Sequence, residues 1–221
     1  DVFGAHQKLL ERAGESAFEQ DGLGLAPQLL QKIKDYTTSD TLIVLAGSIP
    51  AGVDKNIYAR ITELVHEKGG HVLMDADGEL FRNALKASPD IIKPNRVELE
   101  EYAQADYRMS QEELTDMAKD FVAKGIQTVA VSMGMGGALF VKGDYAVRCP
   151  ALSVKSHSTV GAGDAMVAAL AYAWDKNLPN EETVRLSIAT SAGAVTTIGT
   201  KPPKRALVDE LMKQVEIEEI K

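Results

Sequence analysis

The segment Ser158-Thr159-Val160-Gly161-Ala162-Gly163-Asp164-Ala165 stands directly in front of an alanine-rich run that keeps helical spacing to Asp175. Glycines at a helix entrance leave main-chain N–H groups unpaired and pointing outward, and the helix dipole adds partial positive charge. Without Cβ atoms at Gly161 and Gly163, a phosphate can come close to that backbone. A carboxylate would normally repel the phosphate. Asp164 in the same turn therefore points to a second task, taking a proton from an attacking hydroxyl. The competing reading is an aspartate that caps a helix. A short glycine motif does not decide between the two.

Three other clusters carry chemistry of the same kind. Ser132-Met133-Gly134-Met135-Gly136-Gly137 follows an apolar run and suits phosphates or base edges near the main chain; it also suits a plain strand-to-hairpin turn. Lys93-Pro94-Asn95 is followed by Glu98. Asn95 and Glu98, three apart at a helix start, share a face and could orient a hydrated Mg²⁺, or simply form a capping box. Ala46-Gly47-Ser48-Ile49-Pro50 closes the first strand-like run with a small-residue loop able to meet a sugar.

The elements that must position these clusters follow from the hydrophobic pattern. Strands are predicted at Thr41–Ala46, His71–Met74, Asp90–Ile92, Gln127–Ser132, Ala138–Val141 and Tyr145–Arg148, the last two joined by a turn at Lys142-Gly143-Asp144. Helices are predicted at Ala26–Tyr36, Asp54–Lys68 with Asp54 as N-cap, Gly78–Lys86, Arg96–Ala103, Gln111–Lys124 capped by Ser110, Ala162–Asp175, Glu181–Ile198 and Arg205–Val215. Glu216–Glu219 reads as a solvated acidic tail, and Asp1–Gly24 shows no clear period. This alternation implies an α/β fold, a mostly parallel sheet with helices on both faces, whose ligands sit at the carboxyl ends of the strands. All four clusters fall at or just behind such ends. One shared site explains that better than four unrelated turns.

Composition narrows the function further. The 221 residues carry 24 Lys+Arg against 32 Asp+Glu, a formal charge of −8, which argues against a nucleic-acid partner. With 45% hydrophobic and 25% charged residues the chain is ordinary globular protein, and no membrane is expected, since the longest apolar stretch, Ala165–Trp174, is too short to span one. A single cysteine, Cys149, fits a reducing, cytoplasmic setting. There is no Walker-type loop and no Gly-x-Gly-x-x-Gly, the third glycine position being Pro27, Leu139 or Met166, which weakens a nicotinamide dehydrogenase reading. The four histidines have no ligand-like spacing with Cys149, so structural zinc is not expected, and Tyr172 and Trp174 follow their helix as packing residues. Asp1 in place of an initiator Met reads as part of a longer or renumbered chain.

The segments VLAGSIP (Val44–Pro50), IKPNRVELEEY (Ile92–Tyr102), VSMGMGGALF (Val131–Phe140) and STVGAGDAMVAA (Ser158–Ala169) resemble, in order and spacing, the motifs of the ribokinase-like (PfkB) sugar kinases. Within that family the wording is similar to the 1-phosphofructokinases, with tagatose-6-phosphate kinases sharing nearly all of it. The resemblance runs from about residue 38 to the C-terminus. It implies a three-layer α/β/α sandwich and a single domain, with 41–221 as the ATP-binding and catalytic part and 1–40 poorly assigned. It also implies a phosphotransferase that moves the γ-phosphoryl of ATP to a hydroxyl of fructose 1-phosphate, with tagatose 6-phosphate and fructose 6-phosphate as alternatives. Asp164 would be the base, and the N–H groups of Gly161, Ala162 and Gly163 would stabilise the transferring group. Lys93, Asn95, Ser132, Met133, Gly134, Gly137 and Ser191 would line the ATP site, Gly47 and Ser48 would meet the sugar, and Asn95 and Glu98 would act on Mg²⁺. Family members carry a sugar-binding Asp, a Gly-Gly signature, phosphate-holding basic residues and a β lid upstream. None is recognisable in 1–39, so the expectation is a chain with the ATP half and without the lid. A catalytically silent nucleotide-binding domain is the reading from another class. Lids often form the dimer contact in this family, which leaves a homodimer open.

Overall fold

The computed structural model describes residues 25–220. The first helix, α1 (Leu25–Tyr36), leads to β1 (Leu42–Ala46), α2 (Ile57–Glu67), β2 (His71–Asp75), α3 (Gly78–Ala84), β3 (Ile91–Ile92), α4 (Arg96–Ala103) and α5 (Gln111–Ala123). Then come β4 (Thr128–Ser132), the hairpin β5 (Ala138–Lys142) and β6 (Tyr145–Cys149), α6 (Ala162–Asp175), α7 (Asn180–Ala194), α8 (Arg205–Met212) and β7 (Glu218–Glu219). The seven strands form one sheet in sequence order. β1 to β4 are parallel, whereas β5, β6 and β7 each join antiparallel, so the sheet is mixed.

The strands are short and apolar on both faces because both faces are covered. Val72, Met74, Ile92, Val129 and Val131 point to one side and pack with Ile61, Val65, Phe81, Leu99, Leu114 and Phe121 from α2 to α5. Leu73, Ile91, Ala130, Phe140 and Val147 point to the other, against Met166, Leu170, Val184, Ile188 and Leu211 from α6 to α8. This is the three-layer α/β/α arrangement expected from the alternation. Among the described residues no helix is long and apolar enough to cross a membrane.

Three local expectations are corrected. Asp54 does not cap α2: its carboxylate accepts from the Asn56 N–H (2.9 Å) in a tight turn, and Asn56 takes the N-cap position. α7 stops at Ala194 rather than Ile198, because the Thr196 and Thr197 hydroxyls bond back to the carbonyls of Gly193 and Ala194 as the chain leaves the helix. The acidic tail is a strand. Glu218 and Glu219 pair with Arg148 and Val147 through the backbone while their side chains stay exposed. Ser110 does cap α5, in a full capping box with Glu113.

Candidate active site

The site is built on the carboxyl ends of β1 to β4 and the entrance of α6. Gly161 is the N-cap of α6 with φ +85°, a left-handed conformation that glycine adopts without strain. The Ala162 N–H is taken by the Thr159 carbonyl at 3.3 Å, while those of Gly163 and Asp164 have no partner among the described residues. Asp164 sits in the first turn with its side chain exposed and makes no hydrogen bond or ion pair there. The helix-capping alternative is therefore not realised. A free carboxylate and free amides share one helix entrance.

Beside them lies a buried ion pair. Lys93, only 3% exposed, places Nζ 3.0 Å from Asp75 Oδ1. The same Nζ would be 3.5 Å from a Cβ built on Gly163, so the ammonium lies directly against the α6 entrance. Burial raises the Asp75 pKa above the usual carboxylate range; Lys93 opposes that shift, and the charges of Asp164 and Asp77 add to it. Asp75 and Asp77 were not anticipated from the sequence. The available signal was Met74-Asp75-Ala76-Asp77-Gly78, two carboxylates at the end of a buried strand on the edge where α/β proteins bind ligands.

Asn95 and Glu98 form the capping box of α4: Asn95 accepts from the Glu98 N–H at 3.0 Å, and Glu98 accepts from the Asn95 N–H at 2.8 Å. The Asn95 side-chain amide also donates to Glu98, so both carboxylate oxygens face Asn95. Burial raises the Glu98 pKa, opposed by the Asn95 N–H and Lys93. Asn95 pairs with Ser132 across the sheet, and Ser132 N–H donates to Pro94 O (3.0 Å), which sets the third and second clusters side by side.

The glycine-rich turn after β4 uses much of its own backbone. Met133 N–H donates to Gly137 O (2.8 Å), and the Gly136 and Gly137 N–H groups close on Met133 and Gly134. Met133 is buried, with Arg96 Nη2 3.3 Å from its sulfur. At Gly137 (φ +83°) a Cβ would sit 1.9 Å from the Cys149 carbonyl, so that glycine is required by packing. Gly134 and Met135 form the exposed tip.

Ser191 lies in the last turn of α7, whose end holds the loop before Gly161: His157 N–H and Ser158 N–H both donate to Val195 O. Gly47 and Ser48 are exposed after β1, anchored by Gly47 N–H to Asp75 O (3.0 Å) and by the Tyr58 hydroxyl, which donates to the carbonyls of Ala46 and Gly47. The same Asp75 thus ties the small-residue loop to Lys93 and the helix entrance. Cavities of about 230 Å³ (Gln127, Phe140, Trp174, Asn180) and about 540 Å³ (Arg82, Tyr102, Phe121, Lys124) lie elsewhere.

The donor set fits a nucleotide polyphosphate with a hard cation. Free amides and Lys93 offer donors to phosphate oxygens, while Asp75, Asp77 and Glu98 lie within one another's electrostatic reach, as Asp164 does with Asp75. Among the described residues no three His, Cys, Asp or Glu side chains are arranged to grip an ion by themselves.

The sequence and the fold have known relatives. The 1-phosphofructokinase of Rhodobacter capsulatus is 42% identical over 165 residues, covering 74% of this chain and 52% of that protein. The 1-phosphofructokinase of Haemophilus influenzae is 33% identical over 201 residues, 89% of this chain and 64% of that one. The crystal structure of phosphofructokinase-2 from Escherichia coli superposes with a TM-score of 0.80 at 27% identity, over 86% of this chain and 61% of that chain. The chain thus spans between half and two thirds of the relatives it matches. The model of the pfkB family of carbohydrate kinases matches residues 16–206. This chain belongs to the pfkB family of carbohydrate kinases.

Proposed function

We propose that this chain carries the nucleotide and proton-transfer machinery of an ATP-dependent phosphosugar kinase, with fructose 1-phosphate as acceptor. One observation carries the reading: the unpartnered Asp164 carboxylate shares the first turn of α6 with the unpaired N–H groups of Gly163 and Asp164. Asp164 takes the proton of the acceptor hydroxyl as its oxygen bonds to the γ-phosphorus. The bond from that phosphorus to the β–γ bridging oxygen breaks, and ADP leaves. The amides and Lys93 face the charge that gathers on the transferring group. Asn95 and Glu98 would hold a hydrated Mg²⁺, which would supply charge neutralisation of the phosphates when bound. Ser132, Met133, Gly134, Gly137 and Ser191 line the nucleotide, and Gly47 and Ser48 meet the sugar. The likeness to Escherichia coli phosphofructokinase-2, whose crystal structure in complex with fructose 6-phosphate also superposes on this chain, supports fructose 6-phosphate as the alternative acceptor. Cys149, buried and pushed up to about 12 by its surroundings, takes no part.

The test is ADP release with each phosphosugar in wild type and Asp164→Asn. Loss of the base lowers sugar-dependent turnover by ~10²–10⁴ with MgATP binding retained. Unchanged turnover in the variant removes Asp164 from the mechanism. Saturable MgATP binding without sugar-dependent ADP release in wild type favours a silent nucleotide-binding domain.

A further inference from the structure

We infer that Asp75 is a positioning residue, which fixes the Lys93 ammonium against the α6 entrance so that its charge faces the phosphoryl group. The inference rests on the nucleotide reading above and adds a residue the sequence did not single out. Register brings the pair together. β2 and β3 are parallel with Leu73 opposite Ile91 and Met74 opposite Ile92, so the next partners are Asp75 and Lys93. Side chains alternate along a strand. Leu73 and Ile91 face α6 and α7, whereas Met74 and Ile92 face the other layer. Asp75 and Lys93 therefore return to the α6 side, at the level where that helix begins.

A lysine 3% exposed is held only with a partner. Asp75 Oδ1 at 3.0 Å is the one carboxylate paired with Nζ among the described residues. An ammonium has three N–H donors, and this pair uses one. Nζ itself lies 3.5 Å from the Cβ position of Gly163, so the two remaining donors are at the α6 entrance. The anchor is itself fixed, because Asp75 O accepts from Gly47 N–H and Lys93 N–H donates to Met74 O, both at 3.0 Å. Without Asp75, a flexible four-carbon stem can swing the charge away from the turn.

The experiment is a double-mutant cycle on the full chain: wild type, Asp75→Asn, Lys93→Met and the double variant, each titrated calorimetrically with MgATP and melted without it. Each single substitution is expected to weaken MgATP ~tenfold, as for loss of one charge-assisted hydrogen bond. The double variant should be no more than ~twofold weaker than Lys93→Met, because Asp75 acts only through Lys93. A purely structural pair moves the melting temperature but not the nucleotide affinity, and that result overturns the inference. So does Asp75→Asn binding MgATP as tightly as wild type or tighter, or losses that simply add. Should the single variants fail to fold, the double variant, with both buried charges gone, carries the test: wild-type affinity there overturns the inference. If wild type itself binds no MgATP, the nucleotide reading falls, and this inference with it.

Discussion

Gly163→Ala separates stability from function at the helix entrance. Gly163 is the second residue of α6 and lies outside the positive-φ region, so alanine fits the backbone. The nearest atoms to the new Cβ are Lys93 Nζ at 3.5 Å and Cε at 3.9 Å, ordinary contact distances. The fold should gain from the change: alanine in place of glycine at a compatible helical position stabilises by about 0.4–1 kcal/mol. For a chain of this length that raises Tm by roughly 1–4 °C. The ligand should suffer. Cβ atoms of a helix tilt toward its N-terminus, so the methyl stands in front of the free amides and between them and the ammonium. Losing donors aimed at the transferring group costs ~10²–10³ in turnover, and MgATP binding should weaken by at least a factor of ~10. Differential scanning fluorimetry and MgATP calorimetry on the same sample read both quantities. A raised Tm with unchanged MgATP affinity refutes the reasoning, since phosphate then does not approach this turn. A lowered Tm refutes the packing half, since the space beside Lys93 is then tighter than these distances show.

Two further outcomes test the fold. Gly137→Ala places a methyl 1.9 Å from the Cys149 carbonyl at φ +83°, so the β4–β5 turn must open; the expected loss is upwards of ~3 kcal/mol, read as a large drop in denaturant midpoint or no folding. Asp90 accepts from His66, His71, Val72 N–H and Gln127, and although burial opposes the shift, these bonds hold its carboxyl below the usual range. A depressed carboxyl contributes stability that is present above its unfolded value of 3.8 and lost as pH falls through the folded one. Thermal melts of Asp90→Asn should therefore start lower at neutral pH and fall less steeply below pH ~4 than wild type; equal slopes refute the assignment.

The layers were readable because local and global signals agree. Runs such as Val129–Val131 are apolar at consecutive positions, as a sheet covered on both faces requires, and each is followed by a periodic helix or a glycine turn. Boundaries were less readable where side chains compete with the backbone. Asp54 turns back on Asn56, and Thr196 and Thr197 draw the chain out of α7 while the apolar period continues. β7 escaped notice because strand pairing is a backbone property, and two exposed glutamates give no alternation to read. At the site, Asp164 and the glycines were visible because the chemistry is local to one turn. Asp75 was not, since its partner lies eighteen positions away, and only the β2–β3 register makes them neighbours.

The charge balance at this edge explains why both kinds of residue are needed. Asp75 pairs with the Lys93 ammonium, Glu98 feels its charge, and Asp77 and Asp164 lie within electrostatic reach of Asp75, a surplus of carboxylates that alone repels a polyphosphate. Three features reverse that. The amides of α6 are fixed dipoles that add no net charge, Lys93 is held at the point where the helix begins, and the surplus carboxylates suit a hydrated divalent cation brought in with the phosphates. Asp164, without a partner among the described residues, then stands beside an anion site with its carboxylate free, as the proposed proton acceptor must. Each part accounts for a feature that is otherwise unfavourable: a buried lysine, an uncapped helix entrance and a crowd of like charges. Together they are what the proposed reading asks of the strand-end edge: a proton acceptor and an anion site within one turn of a helix.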